Sequence, residues 1–267
     1  MKVTEASDDS VLLRALGDAS SRFPFRCHEV KRIIARTRYN VIAQIIIGEA
    51  GNSQSYVLKT SLRPQDSYFL YPVWAKKTQS KCKQMLGEYL EPTLVVWGHG
   101  VGGVPTYMFV QPYVQGRELK EFALRELLQA DQDLLRRLSA LCGRIITLFL
   151  RTGILVDVSG SYVRERSWVK QKLKNIWLNF SFLRTTNIMV EDATNNVFIV
   201  DTDFPEPLSS IRKTESYRHK AKILVMLAGV VASRMTFDTL RVIRLLLTAL
   251  GVRLREKPTI AETSSRD

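Results

Sequence analysis

Cysteine, histidine and long apolar runs are scarce in this sequence, and each scarcity removes a class of protein. Three cysteines, Cys27, Cys82 and Cys142, stand far apart, odd in number and without a CxxC pair. That pattern argues against a disulfide framework and a structural zinc site, and fits a reducing cytoplasm. The three histidines, His28, His99 and His219, are equally scattered. His28 follows Cys27, but two ligands do not make a zinc site. The most apolar run, Ile223 to Ala232, has about half the roughly twenty residues that a membrane span needs. It reads as a buried helix, with positive residues on both sides that leave room for peripheral contact with a membrane surface. The N-terminal stretch is acidic after Lys2 and lacks a long apolar core, so it does not read as a signal peptide.

Acidic residues are in deficit. The 267 residues hold 39 Lys and Arg against 26 Asp and Glu, a formal charge of +13 and a pI near 9.8. Such a charge favours an anionic partner such as nucleic acid, phosphate or a membrane surface, without naming one. No nucleic-acid-binding motif accompanies it. With 45% hydrophobic and 24% charged residues, the composition is that of a globular chain. The length allows one large domain or two modest lobes.

Residues 10 to 18 read as a short opening helix. RYNVIAQIIIG, residues 38 to 48, is rich in β-branched and aromatic residues and reads as a strand. Gly51 and Asn52 signal a turn, and SYVLKTS, residues 55 to 61, returns as a second strand carrying Lys59. A helix is expected within residues 66 to 89, ended by Pro92. TLVVWG and TYMFVQPYV are two further strands, and a helix is expected over about 117 to 128. From Asp131 to Thr152 the apolar residues fall at helical spacing, and Gly153 stops the helix. GILVDVSG follows as an extended stretch. NIMVED and NNVFIVDTD are two compact strands with a turn at Ala193 to Asn196. Two helices are expected at the end, over roughly 215 to 233 and 236 to 250. The tail from 257 to 267 has the composition of a disordered segment. A β-rich first part thus feeds a helical second part, an α+β arrangement joined near Tyr113 to Gly116.

Three features could carry chemistry. Lys59 sits between apolar neighbours in a short strand, either as a solvated lysine or as a cation holding phosphate oxygens. YMFVQPYVQGREL runs from an apolar strand into a polar linker, either a plain loop or a hinge whose backbone meets a planar ligand. Asn187 opens one strand, and Asp201 closes the next after the apolar run VFIV. A carboxylate at the exit of a buried strand needs a partner or a cation. Oxygens from Asn187 and Asp201 suit magnesium, with Asp203 as a second source in the same turn. The alternative is a turn carboxylate bonded to backbone.

In this order, Lys59, the hinge-like segment, the long helix, GILVDVSG, NIMV and FIVDTD resemble the protein-kinase-like superfamily, closer to small bacterial kinase-like proteins than to eukaryotic kinases. The resemblance spans about residues 40 to 240. It implies a bilobal α+β fold: an N-terminal extension over 1–34, a small β-rich N-lobe over 35–114 and a helical C-lobe over 115–256. It implies ATP and magnesium, with Lys59 on the phosphates, the hinge at Gln111 to Tyr113 on the adenine, and Asn187 and Asp201 on the metal. The catalytic Asp of such kinases lies five residues before the Asn, where this chain has Phe182. Asp157 is the substitute, because it directly follows the long helix, and residues 158–186 then form a basic insertion.

Other departures are plain. No glycine-rich loop joins the first two strands, and Thr202-Asp203-Phe204 follows Asp201, so the glycine of DFG is missing. Residues 67 to 87 contain no acid to pair with Lys59; Asp66 and Glu88 only flank them. Residues 161 to 186 hold six basic residues against Glu165 alone, interleaved with Tyr162, Trp168, Trp177 and Phe180. By itself the stretch reads as an amphipathic helix with Trp168, Leu173, Ile176 and Trp177 inward and Lys170, Lys172 and Lys174 in water, or as a surface for bases or membrane. For the chain three readings follow: a phosphotransferase whose basic insertion selects an acidic or phosphorylated acceptor, a pseudokinase scaffold without turnover, or a basic nucleic-acid-binding protein.

Overall fold

The computed structural model describes residues 5–21, 23, 25–36, 40–49, 52–61, 71–99, 105–156, 170, 185, 187–200 and 216–250. It is a mixed α+β protein. The chain divides into two compact units, one of residues 1–81 and 91–113, the other of residues 82–90 and 114–267.

The first unit begins with helix α1 (Glu5–Ser20), whose Leu12 and Leu16 fall on one face at i, i+4 spacing. Five antiparallel strands follow: β1 (Cys27–Arg36), β2 (Asn40–Glu49), β3 (Asn52–Ser61), β4 (Leu94–His99) and β5 (Pro105–Pro112). Their order across the sheet is β1-β2-β3-β5-β4. The β2–β3 hairpin runs in unbroken register from Asn40 opposite Ser61 to Glu49 opposite Asn52. One face of the sheet supplies Val41, Ala43, Ile45, Leu58, Met108 and Val110 to a core closed by Leu12, Leu16 and Phe23. Alternation along each strand leaves the residues between them on the other face. Helix α2 (Tyr71–Leu86) connects β3 to β4 in sequence.

The sequence places no strand before residue 38, yet β1 pairs with β2 along its length. Its register slips between Cys27 and Glu29, between Val30 and Arg32, and between Ile33 and Ala35. Each irregularity inserts an extra residue and destroys the two-residue period by which a strand is recognised.

In the second unit the last residues of α2, Cys82 and Leu86, join Tyr89 and Leu90 in a core with two long helices. Helix α3 (Leu124–Gln129) is short, with the Glu126 carboxylate accepting from the Ala123 N–H at 2.9 Å. Helix α4 (Gln132–Thr152) starts at Asp131, whose carboxylate accepts from the Asp133 N–H at 3.3 Å. It ends at Gly153, which takes φ 69° and donates its N–H to the Phe149 carbonyl, a left-handed cap suited to glycine. Helix α5 (Ser216–Ala249) runs 34 residues without a break where the sequence suggested two helices. The join at Arg234-Met235 holds no proline or glycine, and the buried positions Val230, Ser233, Phe237 and Leu240 keep their three-four spacing across it. Ile223–Ala249 is thereby long and apolar enough, by length and composition, to cross a membrane, unlike the shorter run read from sequence.

The helix expected over 117 to 128 is largely replaced. Strand β6 (Gly116–Glu118) pairs with β7 (Ile188–Glu191), which pairs in turn with β8 (Val197–Ile199). One 3-10 turn, Leu119–Glu121, then leads to α3. Pairing with a distant strand here overrides local helix propensity.

The three thiols have different fates. Burial pushes the Cys82 thiol up to about 12 and raises that of Cys142; it raises that of Cys27 as well, but Cys27 is only half-buried and so remains open to reagent. Iodoacetamide at neutral pH should therefore modify Cys27 in the native protein, and Cys82 and Cys142 only after unfolding, as read by peptide mass spectrometry. Equal native labelling of Cys82 would contradict its burial. Because the folded state keeps these protons where the unfolded chain releases them, stability should fall as pH rises above the ordinary thiol range.

Candidate functional site

The face of the first unit's sheet that does not meet α1 is the more polar one. Lys59 of β3 pairs with Ile42 of β2 and with Phe109 of β5, which places all three on that face. One rung along, Val57 stands between Gln44 and Gln111. Gln44 and Gln111 are each only 6% exposed. A buried amide is costly unless bonded, and Gln44 meets that demand on both sides. Its Oε1 accepts from Arg32 Nε at 2.8 Å, and its Nε2 donates to Ser55 Oγ at 2.7 Å. Arg32 also donates to the Tyr113 hydroxyl at 2.9 Å and lies 5.9 Å from the centre of that ring. A line of polar contacts thus runs Tyr113, Arg32, Gln44, Ser55 across the same face as Lys59.

This arrangement gathers Lys59, Gln111 and Tyr113 onto one sheet and adds Arg32, Gln44 and Ser55. Arg32 was hidden because it belongs to β1. Gln44 had a signal, a lone polar residue inside the apolar run VIAQIII. The Tyr113 N–H donates to the Ser55 carbonyl at 3.0 Å, and Pro112 has no N–H. A ligand hydrogen bond to the Tyr113 N–H would have to compete with Ser55.

In the second unit, Asn187 stands just before β7. Its N–H donates to Thr185 Oγ1 at 3.1 Å, and its carbonyl accepts from the Val200 N–H at 2.9 Å. Asn187 is therefore the cross-strand neighbour of position 200, one residue before Asp201. The hairpin turns at Asn195, whose φ of 55° is the left-handed geometry that asparagine tolerates. Ile154, Leu155 and Val156 are buried after α4 and lead to Asp157. Asp157, Asp201 and Asp203 lie outside the described residues. So does the basic stretch of 158–186, apart from Lys170 and Thr185.

The flanking acid Glu88 is an exposed residue 3.7 Å from Arg144. Among the described residues no three His, Cys, Asp or Glu side chains cluster as metal ligands. No family model matches the chain, and no curated protein matches it in sequence.

Proposed function

We propose that the chain is a divergent bilobal, kinase-like phosphotransferase that uses ATP and magnesium in the cytoplasm. The observation that carries this reading is the place of Lys59. It lies on the third strand of an antiparallel sheet, followed in sequence by a helix and two strands, and shares a face with Gln111 of the strand entering the hinge. Protein kinases keep their phosphate-binding lysine on the third strand in the same way. The polar face around Lys59 fits an anionic ligand, since Arg32 adds a second cation.

The roles follow residue by residue. Lys59 neutralises the α- and β-phosphates. The backbone near Gln111 and Tyr113 receives the adenine. Asn187, Asp201 and Asp203 supply the oxygens that hold magnesium, and Asp157 orients the acceptor hydroxyl. Magnesium supplies charge neutralisation when bound, so positioning is what the protein adds. The basic insertion 158–186 favours an acidic or phosphorylated acceptor.

A second reading, a pseudokinase scaffold, has its own support. Helix α2 has no acid to hold the lysine in place, and Phe182 stands where the catalytic Asp is expected. A basic nucleic-acid-binding protein is the third reading, supported by charge alone.

Thermal shift and radiolabel transfer test these together. ATP with magnesium should raise the melting temperature of the full chain. Lys59→Met and Asp201→Ala should each remove that rise. Asp157→Ala should keep the rise and lose transfer by about a hundredfold or more. A wild-type melting temperature unmoved by ATP and magnesium would sink both nucleotide readings; binding without transfer would leave the scaffold.

A further inference from the structure

Helix α5 carries apolar residues on two opposite sides. One side, through Ile223, Met226, Val230, Phe237 and Leu240, is buried in the core shared with α4. The other is exposed. Leu224 is 59% exposed, Val231 40%, Met235 67%, Val242 55% and Leu246 57%. Ala228 and Thr239 complete their spacing, so residues 224, 228, 231, 235, 239, 242 and 246 form one stripe at helical period. The stripe contains no charge over more than six turns. Such side chains together present apolar surface on the order of several hundred Å², the range in which a patch marks an interaction site.

Three occupants are conceivable, and charge chooses among them. In sequence the stripe is bracketed by cations. Residues 216–222 hold Arg218, Lys220 and Lys222 with no acid, and residues 251–257 hold Arg253, Arg255 and Lys257 against Glu256. Two copies pairing along this stripe, parallel or antiparallel, would bring cation against cation. A span across the bilayer is opposed by the middle of the helix. There Asp238 accepts from Ser139 Oγ of α4 at 2.7 Å and pairs with Arg241 at 3.5 Å. An apolar stripe whose one bordering acid, Asp238, is paired with Arg234 and Arg241, and which basic residues flank in sequence on both sides, matches an anionic lipid surface, with the helix lying in its plane.

We propose that the outer face of α5 docks this protein on anionic membrane surfaces. The inference does not depend on any nucleotide chemistry. Co-sedimentation of the full chain with phosphatidylcholine vesicles, with and without phosphatidylserine, tests it. The chain should pellet with the phosphatidylserine vesicles, less so as salt is raised, and far less with phosphatidylcholine alone. The variant Val231→Ser/Met235→Ser/Val242→Ser, altered only at exposed positions, should bind at least about tenfold more weakly. Should it lose its helical circular dichroism, the pair Leu224→Ser and Leu246→Ser repeats the test at the two ends of the stripe.

No pelleting with phosphatidylserine vesicles overturns the proposal. So does undiminished binding by the folded variants, which would mean attraction by charge alone. Resistance of the bound chain to alkaline carbonate would indicate a span instead. A dimer that these variants split, without vesicle binding, would assign the face to a second copy.

Discussion

Gly116→Ala is expected to abolish the cooperative fold of the second unit. Gly116 lies on β6 directly opposite Glu191 of β7. A Cβ built there would sit 2.0 Å from the Val190 carbonyl oxygen, 2.8 Å from its carbon and 2.9 Å from Glu191 Cα. All three are backbone atoms, so no side chain can swing aside. Either the β6–β7 pairing opens or the hairpin moves bodily. Ordinary overpacking costs about 1–3 kcal/mol through side-chain adjustment. A clash of backbone with backbone in a paired strand exceeds that, against a total stability of about 5–15 kcal/mol. The denaturant midpoint should collapse, or the variant should fail to accumulate in soluble form. Gly17→Ala provides the contrast. That exposed glycine of α1 has nothing within 4 Å of the added carbon, and the helix should gain about 0.5–1 kcal/mol. If Gly116→Ala melts like the wild type, the β6–β7 pairing is wrong.

Phe237→Ala should cost about 3–5 kcal/mol, the range for emptying a buried aromatic site. Phe237 is fully buried, the largest such side chain among the described residues, midway along the inner seam of α5. Two long helices that must keep their ladders cannot collapse into the space it would leave, so the high end of the range applies. Its neighbours compound the effect. Asp238 accepts from Ser139 at 2.7 Å, and Arg244 Nη1 donates to the Gln129 carbonyl at 3.3 Å. A loosened seam would expose both bonds to water. Chemical denaturation followed by circular dichroism measures the loss. A change under about 1 kcal/mol would show that α5 does not pack as described.

How far the sequence revealed the fold depended on whether local patterns stayed regular. The β2–β3 hairpin was legible because ten residues pair without interruption and the turn carries glycine. The β7–β8 hairpin was legible because Ile188, Val190, Val197 and Ile199 alternate inward and the turn between them carries two asparagines. Helix α4 declared itself through its stripe and its terminal glycine. Strand β1 did not, since three register slips turned its burial pattern from two-fold to irregular. Strand β6 is three residues long, too short for any period, and exists because β7 is there to pair with it.

The candidate site divided along the same line. Lys59 and Gln111 were visible because they stand on regular strands. Arg32 was not, because its strand was not. Asp157, Asp201 and Asp203 are candidates by sequence order and by what precedes them: the buried run Ile154 to Val156, and Asn187 held opposite Val200.

The division of the chain also sets an order on its synthesis. Cys82, Leu86, Tyr89 and Leu90 belong to a core whose other walls are α4 and α5, and α5 ends at Ala249. A ribosome adding about 5–20 residues per second needs roughly 10–30 s to travel from residue 90 to the end of that helix. The first unit has all its strands once residue 112 has emerged. During the interval that follows, the end of α2 carries apolar side chains whose permanent cover has not yet been made. Nascent chains should therefore be most vulnerable to proteases and most in need of chaperones in that window, and truncations that stop before α5 should be caught in it permanently.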